Sequence, residues 1–99
     1  MTTHGLGDWD RLDGASNFVI WRVGILSVLD DHRIKDHVLH AFVIPDDVDA
    51  LKKYEEAQAK AKRMIIDEVK GHVIPHIAEK NTTREMWTSL TTMYHGTYV

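Results

Sequence analysis

The chain contains no cysteine. That absence excludes a disulfide framework, a thiolate zinc site and a cysteine nucleophile, and it fits a reducing compartment. No apolar run approaches the roughly 20 residues of a membrane span. The polar start MTTHGLGDWD does not read as a signal peptide. A cytoplasmic protein with no membrane partner is therefore expected. Surplus positive charge is also missing. A formal charge of −3 gives a poor electrostatic grip on nucleic acid at neutral pH. No G-x-S-x-G, glycine-rich phosphate loop or H-E-x-x-H occurs, and no internal repeat or low-complexity tract is visible. With no assembled nucleophile, base and oxyanion donor, an enzyme is not expected.

Histidine, by contrast, is plentiful. Protonating all seven histidines would move the formal charge from −3 to +4, so mild acid could reverse the surface potential and make association pH-dependent. His37 and His40 are three apart, and His72 and His76 four apart, which could bring each pair onto one helix face. Zinc would need further ligands that the sequence does not supply, and Pro75 distorts the second pair. Exposed or capping histidines are the default, with no metal and no cofactor. The adjacent carboxylates Asp30 with Asp31, Asp46 with Asp47, and Glu55 with Glu56 do not face each other on a helix and read as caps and solvated charge. Lys52, Lys53, Lys60, Lys62, Arg63 and Lys70 are interrupted by acidic residues and lack interleaved aromatics for base stacking, so they read as a solvated face.

Ninety-nine residues suit one domain, which buries roughly two-thirds of the surface its unfolded chain exposes. Residues 1–11 read as a flexible arm in which Trp9 can pack back, and residues 12–99 as a single helical domain. The stretch Leu12 to Trp21, LDGASNFVIW, combines a turn, a helix cap at Ser16 or Asn17, and Phe18 and Trp21 three apart on one helical face. A first helix follows, from about Asn17 to Asp30. It has two apolar faces: Phe18, Trp21, Ile25 and Leu29 on one, and Val19, Val23 and Leu26 on the other. A surface helix needs one such stripe. Two imply burial from both sides, either inside the fold or against another chain.

Ile34, Val38, Leu39 and Phe42 predict a short helix over 33–41, closed by the extended residues before Pro45. The longest helix is capped by Asp46 or Asp47 and expected to run to Lys70, with Gly71 as its stop. Its inner face uses Leu51, Tyr54, Ala57 or Gln58, Ala61, Ile65 and Val69. Val73, Ile74 and Ile77 around Pro75 support one or two turns. Thr82 and Glu85 form a capping box ahead of Met86, Trp87, Leu90, Met93 and Tyr94, a helix that Gly96 ends. The fold class is all-α, a compact bundle of four to five helices, with Trp21 and Trp87 as the largest core candidates.

Three blocks of this pattern resemble the Gag proteins of copia-type LTR retrotransposons. LDGASNFVIW looks like the family's opening signature through Leu12, Gly14, Phe18 and Trp21, although Asn17 directly precedes Phe18 and one extra residue follows the glycine. Tyr54 stands where an aromatic, usually Trp, is expected, followed by Ala57, Ala61, Ile65 and Val69. In NTTREMWTSLTTMYHGTY, Trp87, Leu90 and Tyr94 match the third block, with Thr83 in place of the usual alanine. The likeness runs from Leu12 to Tyr98. It implies an all-helical capsid protein that self-assembles into virus-like particles, and a compact bundle like a Gag capsid lobe. Full-length relatives continue into a second lobe and often a zinc knuckle for RNA. Neither is in this sequence, which therefore looks like the N-terminal capsid lobe, a truncated piece or a domesticated remnant. RNA packaging would fall to regions absent from this chain.

The resemblance implies that the protein's partner is itself, together with other Gag regions. Self-association would bury apolar helix faces at about 25 cal/mol per Å² before the entropic cost of association. Val19, Val23 and Leu26 are the favoured contact face. The alternative is a domesticated module that holds a partner peptide in a groove between helices.

Overall fold

Phe18, Trp21, Ile25 and Leu29 recur at helical spacing, and in the computed structural model all four are buried on one side of helix α1 (Phe18–Asp31). The structure describes residues 11–94. Trp9, Gly96, Tyr98 and all but the last residue of the proposed arm lie outside them. Asn17 sits at the N-cap of α1, yet its side chain makes no capping bond. It turns back instead. Its Oδ1 accepts from the Asp13 N–H at 3.0 Å and the Gly14 N–H at 3.3 Å, while Nδ2 donates to the Arg11 carbonyl at 2.9 Å. Asn17 therefore fastens the preceding turn rather than the helix.

The end of α1 has no glycine. The Arg33 N–H reaches the Asp30 carbonyl at 2.9 Å and the Ile34 N–H reaches the Leu29 carbonyl at 3.0 Å. With Arg33 at φ 62 between them, this is a Schellman stop, completed by the buried pair Leu29 and Ile34. The second helix is consequently shorter than the expected 33–41. Helix α2 (Lys35–Leu39) cannot include left-handed Arg33, and His40 beyond it is already extended.

Helix α3 (Val48–Asp67) starts where the Asp47 carboxylate accepts the Ala50 N–H at 2.9 Å. It stops three residues short of the expected Lys70, and Gly71 is not its terminator. The Glu68 carbonyl takes two other donors, the Leu12 N–H at 2.9 Å and the buried Trp21 indole N–H at 2.8 Å. The Lys70 N–H then bonds the Leu12 carbonyl at 2.9 Å, so Leu12 and Val69 form an isolated parallel bridge. Continuing the helix would forfeit these bonds. Val69 is buried through the bridge and not as a helix residue. Met64 joins Ala61 and Ile65 on the buried face, whereas Leu51, Tyr54, Ala57 and Gln58 are only half-buried.

A single 3-10 turn (Ile74–His76), with Pro75 in its first positions, connects to the last helix and seats Val73 and Ile77 in the core. Helix α4 (Thr83–Tyr94) is preceded by Thr82, whose Oγ1 accepts the Glu85 N–H at 3.1 Å. Glu85 returns the bond to the Asn81 N–H at 3.0 Å, one residue upstream of a standard capping box.

The fold is all-α: among the described residues, four helices and one 3-10 turn surround a core built on Trp21 and Trp87, stacked at 5.7 Å between ring centroids. Phe18 lies 6.1 Å from Trp21 and 6.2 Å from Tyr94. Among the described residues, no buried side-chain nitrogen or oxygen lacks a hydrogen-bond partner.

Candidate self-association surface

The face of α1 opposite Trp21 is not covered by the fold. Val19, Ile20 and Val23 are exposed, Ile20 at 75%. Leu26 differs. It is half-buried and packs against the core, so it leaves the expected contact face, and Ile20 takes its place. The sequence carried the signal for Ile20, because it lies one residue from Val19 and three from Val23, but a strict stripe count passes over it.

A second apolar surface follows α2. Residues 41–46 form no helix, and Phe42, Val43 and Ile44 are exposed there, Val43 at 91%, together with Val48 on the first turn of α3. The two surfaces lie toward opposite ends of α3. Trp21 bonds the carbonyl just past the last residue of α3, whereas Val48 is its first residue. Twenty helical residues span about 30 Å.

Polar groups hold the base of the second surface. The Thr83 N–H donates to Gln58 Oε1 at 3.0 Å, which orients the amide so that its Nε2 faces His37 Nδ1 at 3.2 Å. Nδ1 must then accept, and the His37 proton sits on Nε2. The Thr83 hydroxyl lies 3.0 Å from the His37 carbonyl and 3.2 Å from Gln58 Oε1. Burial pushes the His37 pKa below its ordinary 6.5, and the Asp36 carboxylate partly opposes this. The imidazole stacks on Phe42 at 4.2 Å, and Tyr54 completes a three-ring cluster, 5.8 Å from the imidazole and 6.4 Å from Phe42. Across the molecule, burial and then the Asp13 charge raise the Tyr94 phenol above its ordinary 10.0.

The residues of the family-like pattern fall into three environments. Leu12, Phe18, Trp21, Ala61, Ile65, Trp87 and Leu90 are buried in one core. Gly14 and Tyr94 are half-buried beside that core, the Tyr94 ring 3.9 Å from where a Gly14 Cβ would stand. Tyr54 belongs instead to the cluster with half-buried His37 and exposed Phe42.

The histidine pairs are not brought together as ligand sets. His40 is on extended backbone past α2. His72 Nε2 lies 2.7 Å from the Asp13 carbonyl and 3.5 Å from its carboxylate, tying two turns together. Among the described residues, no three His, Asp or Glu side chains are placed to hold a metal ion, and no helix is long and apolar enough to cross a membrane. A cavity of about 380 Å³ lies between α1, α2 and α4, with Arg22, Arg84 and threonine hydroxyls over the edge of Trp87.

Its fold and exposed faces place the chain among small helical bundles with uncovered apolar surface. No family model matches it, and neither the curated proteins nor the solved structures compared with it yield a match.

Proposed function

We propose that this chain is the N-terminal lobe of a copia-type Gag capsid protein, one that works in the cytoplasm by associating with copies of itself and has no reacting group of its own. The observation that carries this reading is the uncovered Val19, Ile20 and Val23 face on a helix whose other face is fully buried. A contiguous exposed aliphatic patch is the kind of surface that marks a protein interface. Supporting it, the three blocks of Gag-like sequence fall on the turn leading into α1 and its first residues, on α3 with Val69 just past its end, and, as far as residue 94, on α4. RNA packaging would belong to other Gag regions, consistent with the negative charge of this one.

The magnitudes suit a subunit that assembles weakly per contact. Burying one such side chain gives about 1.5–3 kcal/mol, while association costs about 4–15 kcal/mol. A single patch of three aliphatics therefore gives shallow affinity, which repetition in an assembly would multiply. Sedimentation velocity over a concentration series should show mass rising with concentration. Ile20→Asp with Val23→Asp should lower that association without lowering helix content. A chain that stays monomeric at every concentration would overturn self-association and favour the alternative, a module accepting a peptide in a cleft such as the one over Trp87.

A further inference from the structure

We propose that the cavity between α1, α2 and α4 binds a doubly charged tetrahedral oxyanion, either inorganic phosphate or the phosphate group of a small monoester. The site is separate from the exposed aliphatic faces and does not depend on self-association.

The cavity holds about 380 Å³, within the range of about 300–1,000 Å³ usual for small-ligand sites. Arg22 reaches it from α1 and Arg84 from the first turn of α4. Thr88, Thr91 and Thr92 follow Arg84 at four, seven and eight residues, so one face of α4 supplies a guanidinium and three hydroxyls together. None of these hydroxyls has a hydrogen-bond partner among the described residues. No carboxylate lines the cavity among the described residues, and neither arginine has an ion-pair partner among them. Arg84 Nη1 donates to the Val38 carbonyl at 3.4 Å, which holds the guanidinium toward α2 and leaves its other N–H groups without an acceptor among the same residues. Its sequence neighbour Glu85 does not line this cavity and already accepts the Asn81 N–H. Two cations on one recess, in a chain of net charge −3, make a local positive field that low-dielectric walls focus. An anion there relieves their repulsion.

The floor is an independent sign. Trp87 is 3% exposed, and its indole N–H has no hydrogen-bond partner among the described residues. The Trp21 indole stacked on it differs, because its N–H is taken by the Glu68 carbonyl. No fully buried side-chain nitrogen or oxygen among the described residues lacks a partner, so the Trp87 N–H must reach solvent, and Trp87 lines this cavity. The walls thus offer guanidinium, hydroxyl and indole donors with no competing negative charge. A carboxylate is satisfied in one plane by a single guanidinium fork. Donors arriving from two helices suit a phosphate, whose oxygens point in four directions. Leu39 and the Trp87 ring leave an apolar wall for the organic part of a monoester.

Titrating the full chain with phosphate tests the site, followed by two-dimensional proton–nitrogen spectra at pH 7.5 and constant ionic strength. A monoester with a second pKa of about 6 is then a dianion. The Trp87 indole peak should shift saturably with inorganic phosphate or phenyl phosphate. The Trp21 peak should shift less, because its N–H is already bonded. Acetate at the same ionic strength should move neither. Arg22→Gln and Arg84→Gln should each raise the half-saturating concentration by about tenfold. A thermal melt without phosphate checks that each variant is folded, and Arg22→Gln should melt as the wild type does. Tighter binding of phenyl phosphate assigns the site to a monoester, and equal or weaker binding assigns it to free phosphate. A Trp87 peak that stays in place, a shift that acetate reproduces, or an unchanged half-saturation in either folded variant would overturn the site.

Discussion

Arg33 occupies the left-handed position of the α1 stop, where an L side chain crowds its own backbone and glycine does not. Arg33→Gly should therefore stabilise the fold by up to about 1 kcal/mol, the usual cost of a non-glycine residue there. A thermal melt checks it, and a lower melting temperature would mean that the arginine side chain contributes something its exposed position does not show. His37 makes the opposite kind of contribution. Its folded pKa lies below 6.5, so the unfolded chain binds more protons between the two values and stability rises with pH across that window. The stabilisation is complete above pH 6.5 and is lost as pH falls through the folded value. A protonated Nδ1 can no longer accept from Gln58. His37→Asn keeps an acceptor that does not titrate, and its melting temperature should fall less than the wild type's between pH 7.5 and 5.5. Equal falls would assign the acid sensitivity to other groups.

At the scale of the elements, the junction between α1 and α3 is where a single bond has the widest effect. The Trp21 indole N–H satisfies the Glu68 carbonyl that α3 releases when it ends. Trp21→Phe keeps an aromatic ring against Trp87 but loses that bond and some volume. The expected cost is about 1–3 kcal/mol, moderated because the Leu12 N–H still bonds the same carbonyl. Chemical denaturation measures it, and a cost below about 0.5 kcal/mol would show that the bond contributes little beyond solvation. Helix identity was legible here from periodicity, as with Phe18, Trp21, Ile25 and Leu29, and the cap of α3 was narrowed to Asp46 or Asp47. The helix ends were not. Nothing in DEVKG announces that the Glu68 carbonyl, just past α3, goes to Leu12 and Trp21, some fifty positions earlier in the chain, and no glycine marks Arg33 as a stop. Local pattern records a side chain's preference, whereas a terminus is set by whichever distant donor competes for the backbone.

Considered whole, the described residues divide their hydrophobic side chains between a core and two uncovered surfaces. The double apolar pattern of α1 showed that something must lie on each side of it, but Leu26 turned inward and Ile20 outward, which depends on where α2 and α4 settle against that helix. The Phe42–Val48 surface could not be foreseen as a surface at all. Phe42 looked like the tail of a short helix and Val43 and Ile44 like the extended residues that close it before Pro45, a pattern that does not say whether the fold covers them. Amino-acid order alone determined the helical class, the aromatic centre at Trp21 and Trp87, and the lack of any thiol chemistry, because each follows from residue type and spacing. Tertiary structure decided where the helices stop, which histidine accepts a hydrogen bond, and which aliphatic faces stay uncovered. Those outcomes depend on competition between groups far apart in the chain, which become neighbours only once it has folded.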